Sequence, residues 1–188
     1  MSQTLKQMRD SGRQARHDIG DSDRAKFSSR ICRHFLNTAL FFRSKSIACY
    51  LATSDEVDTS MIIERAWSAK KRVFVPLIEN RIHMRFLEIT RNTRLERNQF
   101  GIWEPPSGKE ISPEKLDVVV TPLVVFDQSR NRIGAGGGYY DRCFSFLKQN
   151  KKWQRPKLAG VAFDCQEVEK ISPNPWDIRL YRIFTETS

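Results

Sequence analysis

A chain of 188 residues with 39% hydrophobic and 29% charged side chains can bury its own core and reads as one soluble domain. No N-terminal apolar stretch resembles a signal peptide, and the longest apolar run, Val118 to Phe126, is far too short to cross a bilayer. The net charge of +10 favours anionic ligands, but the basic residues are spread along the chain and no nucleic-acid-binding motif occurs.

In chain order, the first predicted element is a helix from Leu5 to Ile19. Leu5, Met8, Gly12, Ala15 and Ile19 form an apolar, small-residue seam, and Lys6, Arg9, Arg13 and Arg16 form a basic stripe on the adjacent face. Such a stripe suits a helix that covers an anion, and equally a solvated charged face. Gly20 is expected to end this helix, with Asp21 or Ser22 capping the next, whose buried stripe is Phe27, Ile31 and Phe35. A short strand from Ser46 to Ala52 leads into an acidic loop, Asp55, Glu56 and Asp58, the last a candidate N-cap. A third helix, Thr59 to Lys70, buries Ile62, Ile63, Ala66 and Trp67. Strands are expected over Arg72 to Ile78 and Arg81 to Ile89, paired across Glu79 and Asn80.

Arg91 to Asn98 reads as an exposed loop, Phe100 to Pro106 as extended chain, and Ser112-Pro113 as a turn before a central strand, Val118 to Phe126. A polar turn, Asp127 to Arg132, precedes the glycine-rich run, and a helix follows from Tyr139 to Gln149. Asn150 to Lys157 is a basic connector and Leu158 to Asp164 the last clear strand. Apolar strands without alternation, interleaved with helices, predict an α/β domain in three layers with a mostly parallel, covered sheet. In such sheets ligands sit beyond the carboxyl ends of the strands, which places Glu56 and the glycine run on one rim. Cys32, Cys49, Cys143 and Cys165 are widely spaced with no Cys-x-x-Cys pair, which argues against disulfides or zinc and suits a reducing cytoplasm.

Four of the nine glycines fall within the five residues Gly134 to Gly138. Glycines permit positive φ and let backbone N–H groups approach a ligand. A helix start beyond them adds unpaired donors and a partial positive charge, so the segment reads as a phosphate cradle, with a tight structural turn as the alternative. It is neither a Walker A loop, lacking Gly-Lys-Ser/Thr, nor a Rossmann fingerprint, since the spacing is Gly-x-Gly-x-Gly. Asp141, one turn into the helix, stands where an accompanying metal ion could be held.

The string Arg132-Ile-Gly-x-Gly-Gly-Gly-Tyr-Tyr-Asp-Arg142, preceded by Thr121-Pro-Leu-Val-Val-Phe-Asp127, resembles the signature of the 5-formyltetrahydrofolate cyclo-ligase family. Leu5-Lys-Gln-Met-Arg9, Tyr50 to Asp58, Trp176-Asp177-Ile-Arg-Leu and Ile183-Phe-Thr-Glu186 follow in the family's order, so the likeness spans nearly the whole chain. One departure stands out: the family's lysine four residues before the helix arginine is Leu5 here, with Lys6 one position later.

The resemblance implies a cytoplasmic enzyme that uses ATP and Mg2+ to convert 5-formyltetrahydrofolate into 5,10-methenyltetrahydrofolate, ADP and phosphate. It needs no nucleic acid, membrane or obligate protein partner. ATP would be held by Lys6, Arg9, Arg132, Ile133, Gly134, Ala135, Gly136, Gly137, Gly138, Tyr139 and Tyr140, with Lys6, Arg9 and Arg132 stabilising charge. Leu51, Glu56 and Ala135 to Tyr139 would contact folate, and Asp141 and Asp177 would hold magnesium. Tyr139, Tyr140 and Trp103 could stack on a ring or pack inside the domain. His17, His34 and His83 have no catalytic partner nearby in sequence. Two other readings remain at this stage: a basic nucleic-acid-binding module, and a non-catalytic nucleotide-binding protein.

Overall fold

Three helices lead into the first strand: α1 (Leu5–His17), α2 (Asp21–Leu36) and α3 (Ala39–Arg43). The computed structural model describes residues 4–80, 82–98, 101–149 and 154–188, so Arg81, Phe100 and the start of the expected basic connector lie outside the described residues. A capping box opens α1: the Thr4 hydroxyl accepts from the Gln7 amide (3.2 Å), and Gln7 Oε1 accepts from the Thr4 amide (2.8 Å). The helix stops two residues short of the expected Ile19. Gly20 proves to be the N-cap of α2, which leaves Asp21 and Asp23 in the first turn, where the helix dipole favours them.

Next come β1 (Ser46–Cys49), α4 (Ser60–Ser68), β2 (Arg72–Ile78) and β3 (Met84–Ile89). Thr59 rather than Asp58 is the N-cap of α4; the Asp58 carboxylate accepts instead from the Ser60 amide at 2.9 Å. The expected loop and extended segment contribute a small antiparallel pair, β4 (Glu96–Arg97) with β5 (Trp103–Glu104), followed by β6 (Glu110–Ile111).

The expected strand Val118 to Phe126 is two strands. β7 (Val118–Thr121) ends at Pro122, which has no N–H for the ladder, and β8 (Val125–Phe126) turns away to pair antiparallel with β9 (Arg132–Ile133). The glycine run therefore leaves a hairpin outside the main sheet, not the central strand itself. The expected helix beyond it is also divided, into α5 (Tyr139–Cys143) and α6 (Phe146–Gln149). Bonds of the tighter i→i−3 kind, from Ser145, Leu147 and Lys148, carry the chain through the break, and the fully buried Phe144 sits at it. β10 (Lys157–Val161) and β11 (Arg182–Phe184) complete the chain.

Among the described residues the main sheet has seven strands in the order β11-β10-β7-β1-β2-β3-β6. The five from β11 to β2 are parallel, and β3 and β6 run antiparallel. Consecutive residues of each strand point to opposite faces. Ile47, Cys49, Val73 and Val75 pack with Ile31 and Phe35 of α2 and Ile62 of α4. Ala48, Phe74, Val119 and Leu158 pack on the other face with Phe86, Phe144, Ile178 and Leu180. The expected α/β domain with a mostly parallel, covered sheet is thus present.

A third, smaller cluster, Val124, Val125, Ile133 and Ile171 with Met8 against it, fastens the hairpin to α1. Gly12 allows this approach: a β-carbon there would stand 2.4 Å from the Val125 side chain and 2.8 Å from the Val124 carbonyl oxygen. Gly12→Ala is accordingly expected to destabilise the fold by about 1–2 kcal/mol, overpacking exceeding the gain in helix propensity. Chemical unfolding measures it, and an unchanged or higher midpoint would refute the close packing.

Candidate functional site

Beyond the carboxyl ends of β1 and β7 lies a cleft of about 650 Å³. One wall is the glycine run. Gly136 (φ +116°) and Gly138 (φ +65°) adopt backbone conformations that side chains with a β-carbon resist, so the loop's path requires glycine at both. Arg9 Nε donates to the Gly134 carbonyl (3.1 Å), Arg13 to that of Ala135 (3.2 Å) and Arg142 to that of Gly137 (2.6 Å). Among the described residues no protein acceptor takes a hydrogen bond from the amides of Gly134 to Gly138. The loop thus presents consecutive free donors with three guanidinium groups around it. With α5 only five residues long, its dipole adds little, and the positive potential at the loop comes from its amides and the arginines.

Arg132 does not stand free. Its guanidinium is buried, donating to Asp141 Oδ1 at 2.9 Å and to the Ile178 carbonyl. The Ile178 amide donates to the same Asp141 oxygen at 2.9 Å, so Arg132 and Asp141 together tie the segment after Asp177 to α5. Asp177 Oδ2 accepts from the Asn174 amide (2.7 Å) and side chain (3.3 Å). Asp141 and Asp177 both line the cleft, and each has a second carboxylate oxygen with no donor among the described residues. No cluster of three metal-ligating side chains occurs among the described residues. Two carboxylates with one free oxygen each fit a hard cation that keeps water and phosphate oxygens for its other positions, as Mg2+ does.

Behind the hairpin, the buried Asp127 carboxylate accepts from the Asn131 amide, the Asn131 side chain and the Ile171 amide, each at 2.9 Å. It fixes the hairpin turn to the chain leading toward Asp177. Sequence placed Asp127 within the family string without giving it this part.

The facing wall is Leu51, Glu56 and their neighbours, half-buried in the loop after β1. Glu56 Oε2 accepts from the Thr53 amide at 3.0 Å, which stiffens the loop. Arg16 holds Asp55 Oδ2 through Nε (3.0 Å) and Nη2 (2.5 Å), docking α1 onto this loop. Burial alone would raise the Asp55 carboxyl, but the Arg16 charge and hydrogen bonds outweigh it and hold it below the usual range. Tyr139, Tyr140, Ile102 and Trp103 give the cleft an apolar side, and Trp176 stands at its mouth, 66% exposed. Burial keeps the Tyr140 phenol protonated well above its ordinary range. It also pushes the Cys32 and Cys143 thiols up to about 12, which leaves neither as a thiolate nucleophile near neutral pH.

The structure gathers Arg9, Arg132 to Asp141, Leu51, Glu56 and Asp177, residues to which the resemblance gave roles, around one cleft. Lys6 is the exception: it is exposed and does not line the cleft, whereas Leu5 does. A helical wheel explains this, since Lys6 lies about 60° round from Arg9 and beyond Arg13. Arg13, Arg16 and Arg142 were missed as site residues, although the basic stripe contained the signal for the first two.

The family model of the 5-formyltetrahydrofolate cyclo-ligase family matches residues 1–186. The chain belongs to that family. A 5-formyltetrahydrofolate cyclo-ligase from Haemophilus influenzae is 32% identical over 97% of both chains. One from Escherichia coli K12 is 32% identical over 92% of this chain and 95% of its own. The NMR structure of Aquifex aeolicus 5,10-methenyltetrahydrofolate synthetase superposes with a TM-score of 0.83 at 26% identity, over 98% of this chain and 90% of that one. Membership of a family of cyclo-ligases makes this chain an enzyme, as the glycine–tyrosine–aspartate string implied. No helix among the described residues is long and apolar enough to cross a membrane.

Proposed function

We propose that the protein cyclises 5-formyltetrahydrofolate to 5,10-methenyltetrahydrofolate at the expense of ATP, releasing ADP and phosphate. One observation carries the reading: the unpartnered amides of Gly134 to Gly138, ringed by arginines, share a single cleft with Leu51 and Glu56. A triphosphate on the loop then meets a pterin held against the opposite wall.

The chemical obstacle is that an amide-like formyl oxygen does not leave as hydroxide. Attack of that oxygen on the γ-phosphorus of ATP forms an O–P bond and expels ADP. The second folate nitrogen then attacks the formyl carbon, and the C–O bond breaks with phosphate as leaving group, which closes the ring. The protein's task is to position the reactants and stabilise charge. The loop amides and Arg9 would take the transferring phosphate, Glu56 would hydrogen-bond the pterin, and the apolar wall would exclude water. Magnesium between Asp141 and Asp177 would neutralise phosphate charge when bound. Arg132, already committed to Asp141, would act by setting that carboxylate rather than by touching phosphate.

Purified protein with Mg2+, ATP and 5-formyltetrahydrofolate is expected to generate the ultraviolet absorbance of methenyltetrahydrofolate, and none without ATP; a folded preparation producing no absorbance sinks the proposal. Asp141→Asn retains an acceptor for Arg132 and the Ile178 amide while removing the charge. Its melting temperature should fall, since the buried Arg132 charge loses its counter-ion, but by less than in Arg132→Ala. In the folded variant magnesium–nucleotide affinity should drop several-fold, as calorimetry would read. Parental affinity would take Asp141 out of the metal role.

A further inference from the structure

At the opposite, amino ends of the parallel strands lies a second depression, of about 620 Å³. Among the described residues, six cations reach it from separate parts of the chain. Arg43 ends α3, Lys45 precedes β1, Arg72 opens β2, Lys109 precedes β6, Lys115 lies before β7 and Arg155 before β10. Only Glu110 and Asp117 oppose them among its lining residues. Arg72 is engaged by Glu88 (2.7 Å), Arg155 by Asp117 (2.7 Å), and Glu110 by Arg85 (3.5 Å). Arg43, Lys45, Lys109 and Lys115 form no ion pair with any described residue.

The floor is built rather than incidental. Asp117 Oδ2 accepts from the amides of Lys45 (2.8 Å) and Ser46 (3.0 Å) and from the Ser46 hydroxyl (3.1 Å), while Oδ1 accepts from Arg155. One carboxylate thereby holds two of the basic segments side by side, and its own charge is satisfied. Burial would raise this carboxyl, but the hydrogen bonds from Lys45 and Ser46 and the charge of Arg155 outweigh it. Arg43, Lys45 and Lys115, with Lys109 only partly offset by the charge of Glu88, repel one another around a concavity, a cost that an anionic occupant reduces.

We propose that this depression binds a compact multivalent phosphate, of the kind presented by a triphosphate or a short polyphosphate chain. It is a site distinct from the cleft, separated from it by the length of β1, roughly 13 Å for four residues. Its volume matches small-ligand pockets of about 300–1,000 Å³ rather than the extended track of a nucleic-acid backbone. Among the described residues no aromatic side chain lines it, so none of them offers a base a stacking platform.

The test is an amide-resolved NMR titration of the full chain with inorganic tripolyphosphate, following Lys45, Ser46, Lys109 and Asp117 against Gly136 and Gly138. The first group is expected to shift saturably. In Lys45→Ala/Lys115→Ala its affinity should fall by about tenfold, the scale of losing two charge contacts to phosphate, while the glycine response stays unchanged. Both lysines are exposed, and Arg43→Ala/Lys109→Ala provides a second pair should the first fail to fold. ATP shifting the first group as strongly would assign the natural source to nucleotides; tripolyphosphate alone would assign it to free polyphosphate. Shifts confined to the glycine loop, insensitivity to both double variants, or tighter binding of an RNA oligonucleotide at Lys45 and Asp117 would each overturn the proposal.

Discussion

Gly136→Val is expected to cut methenyltetrahydrofolate formation by about two orders of magnitude, the scale of losing preorganised backbone donors at a developing charge, with little change in thermal stability. At φ +116° a β-branched residue is strongly disfavoured, whatever space surrounds it. The loop is exposed between Ala135 and Gly137, so it can relax to another path without opening the core. The free amides of Gly134 to Gly138 would then leave their present positions beside the cleft. Steady-state rates and a melting curve on one preparation check this. A variant with parental turnover would mean that the loop's conformation is irrelevant to the chemistry.

The second large effect concerns stability. Arg132→Ala is expected to cost about 3 kcal/mol, because it leaves a largely desolvated carboxylate and a carbonyl without their partner. The guanidinium side chain is 4% exposed and Asp141 24%, so solvent can replace little of what is lost. Arg132→Lys should recover only part, since an ammonium lacks the planar fork that bridges Asp141 and the Ile178 carbonyl. In the Arg132→Ala/Asp141→Ala double variant the two losses should fall well short of additive. Guanidinium chloride unfolding reads all three. A loss below about 1 kcal/mol for Arg132→Ala, the range of an exposed ion pair, would show that the pair is a surface contact.

Much of this architecture is written locally. The unalternating runs Val73 to Val75 and Val118 to Thr121 read as covered strands because both of their faces are buried. Seam and stripe on α1 are legible because helical periodicity sets Met8 and Gly12 against the hairpin and Arg9, Arg13 and Arg16 toward the cleft, with Leu5 and Lys6 the exceptions at the helix start. The glycines at 136 and 138 announce their loop because few other residues hold those φ values. What escaped depends on distant partners. β6 and β11 are two and three residues long and exist as strands only through pairing with β3 and β10. The break between α5 and α6 follows from packing Phe144 under the sheet, not from a proline or glycine. Arg132 read as a phosphate ligand because nothing local shows that Ile178, 46 residues away, takes its guanidinium. The basic depression is equally invisible in sequence, since its six cations are brought together only by the strand order.

The Asp127 hub has a consequence for synthesis. A ribosome delivers the hairpin and glycine run well before Ile171, yet the buried carboxylate has its third donor only when that amide arrives. Asp141 likewise waits for the backbone of Ile178. The nascent protein can therefore assemble β1, β2 and the helices over them while the glycine-loop wall of the cleft is still unsupported. Competence to bind nucleotide would switch on only once the chain through Ile178 has emerged.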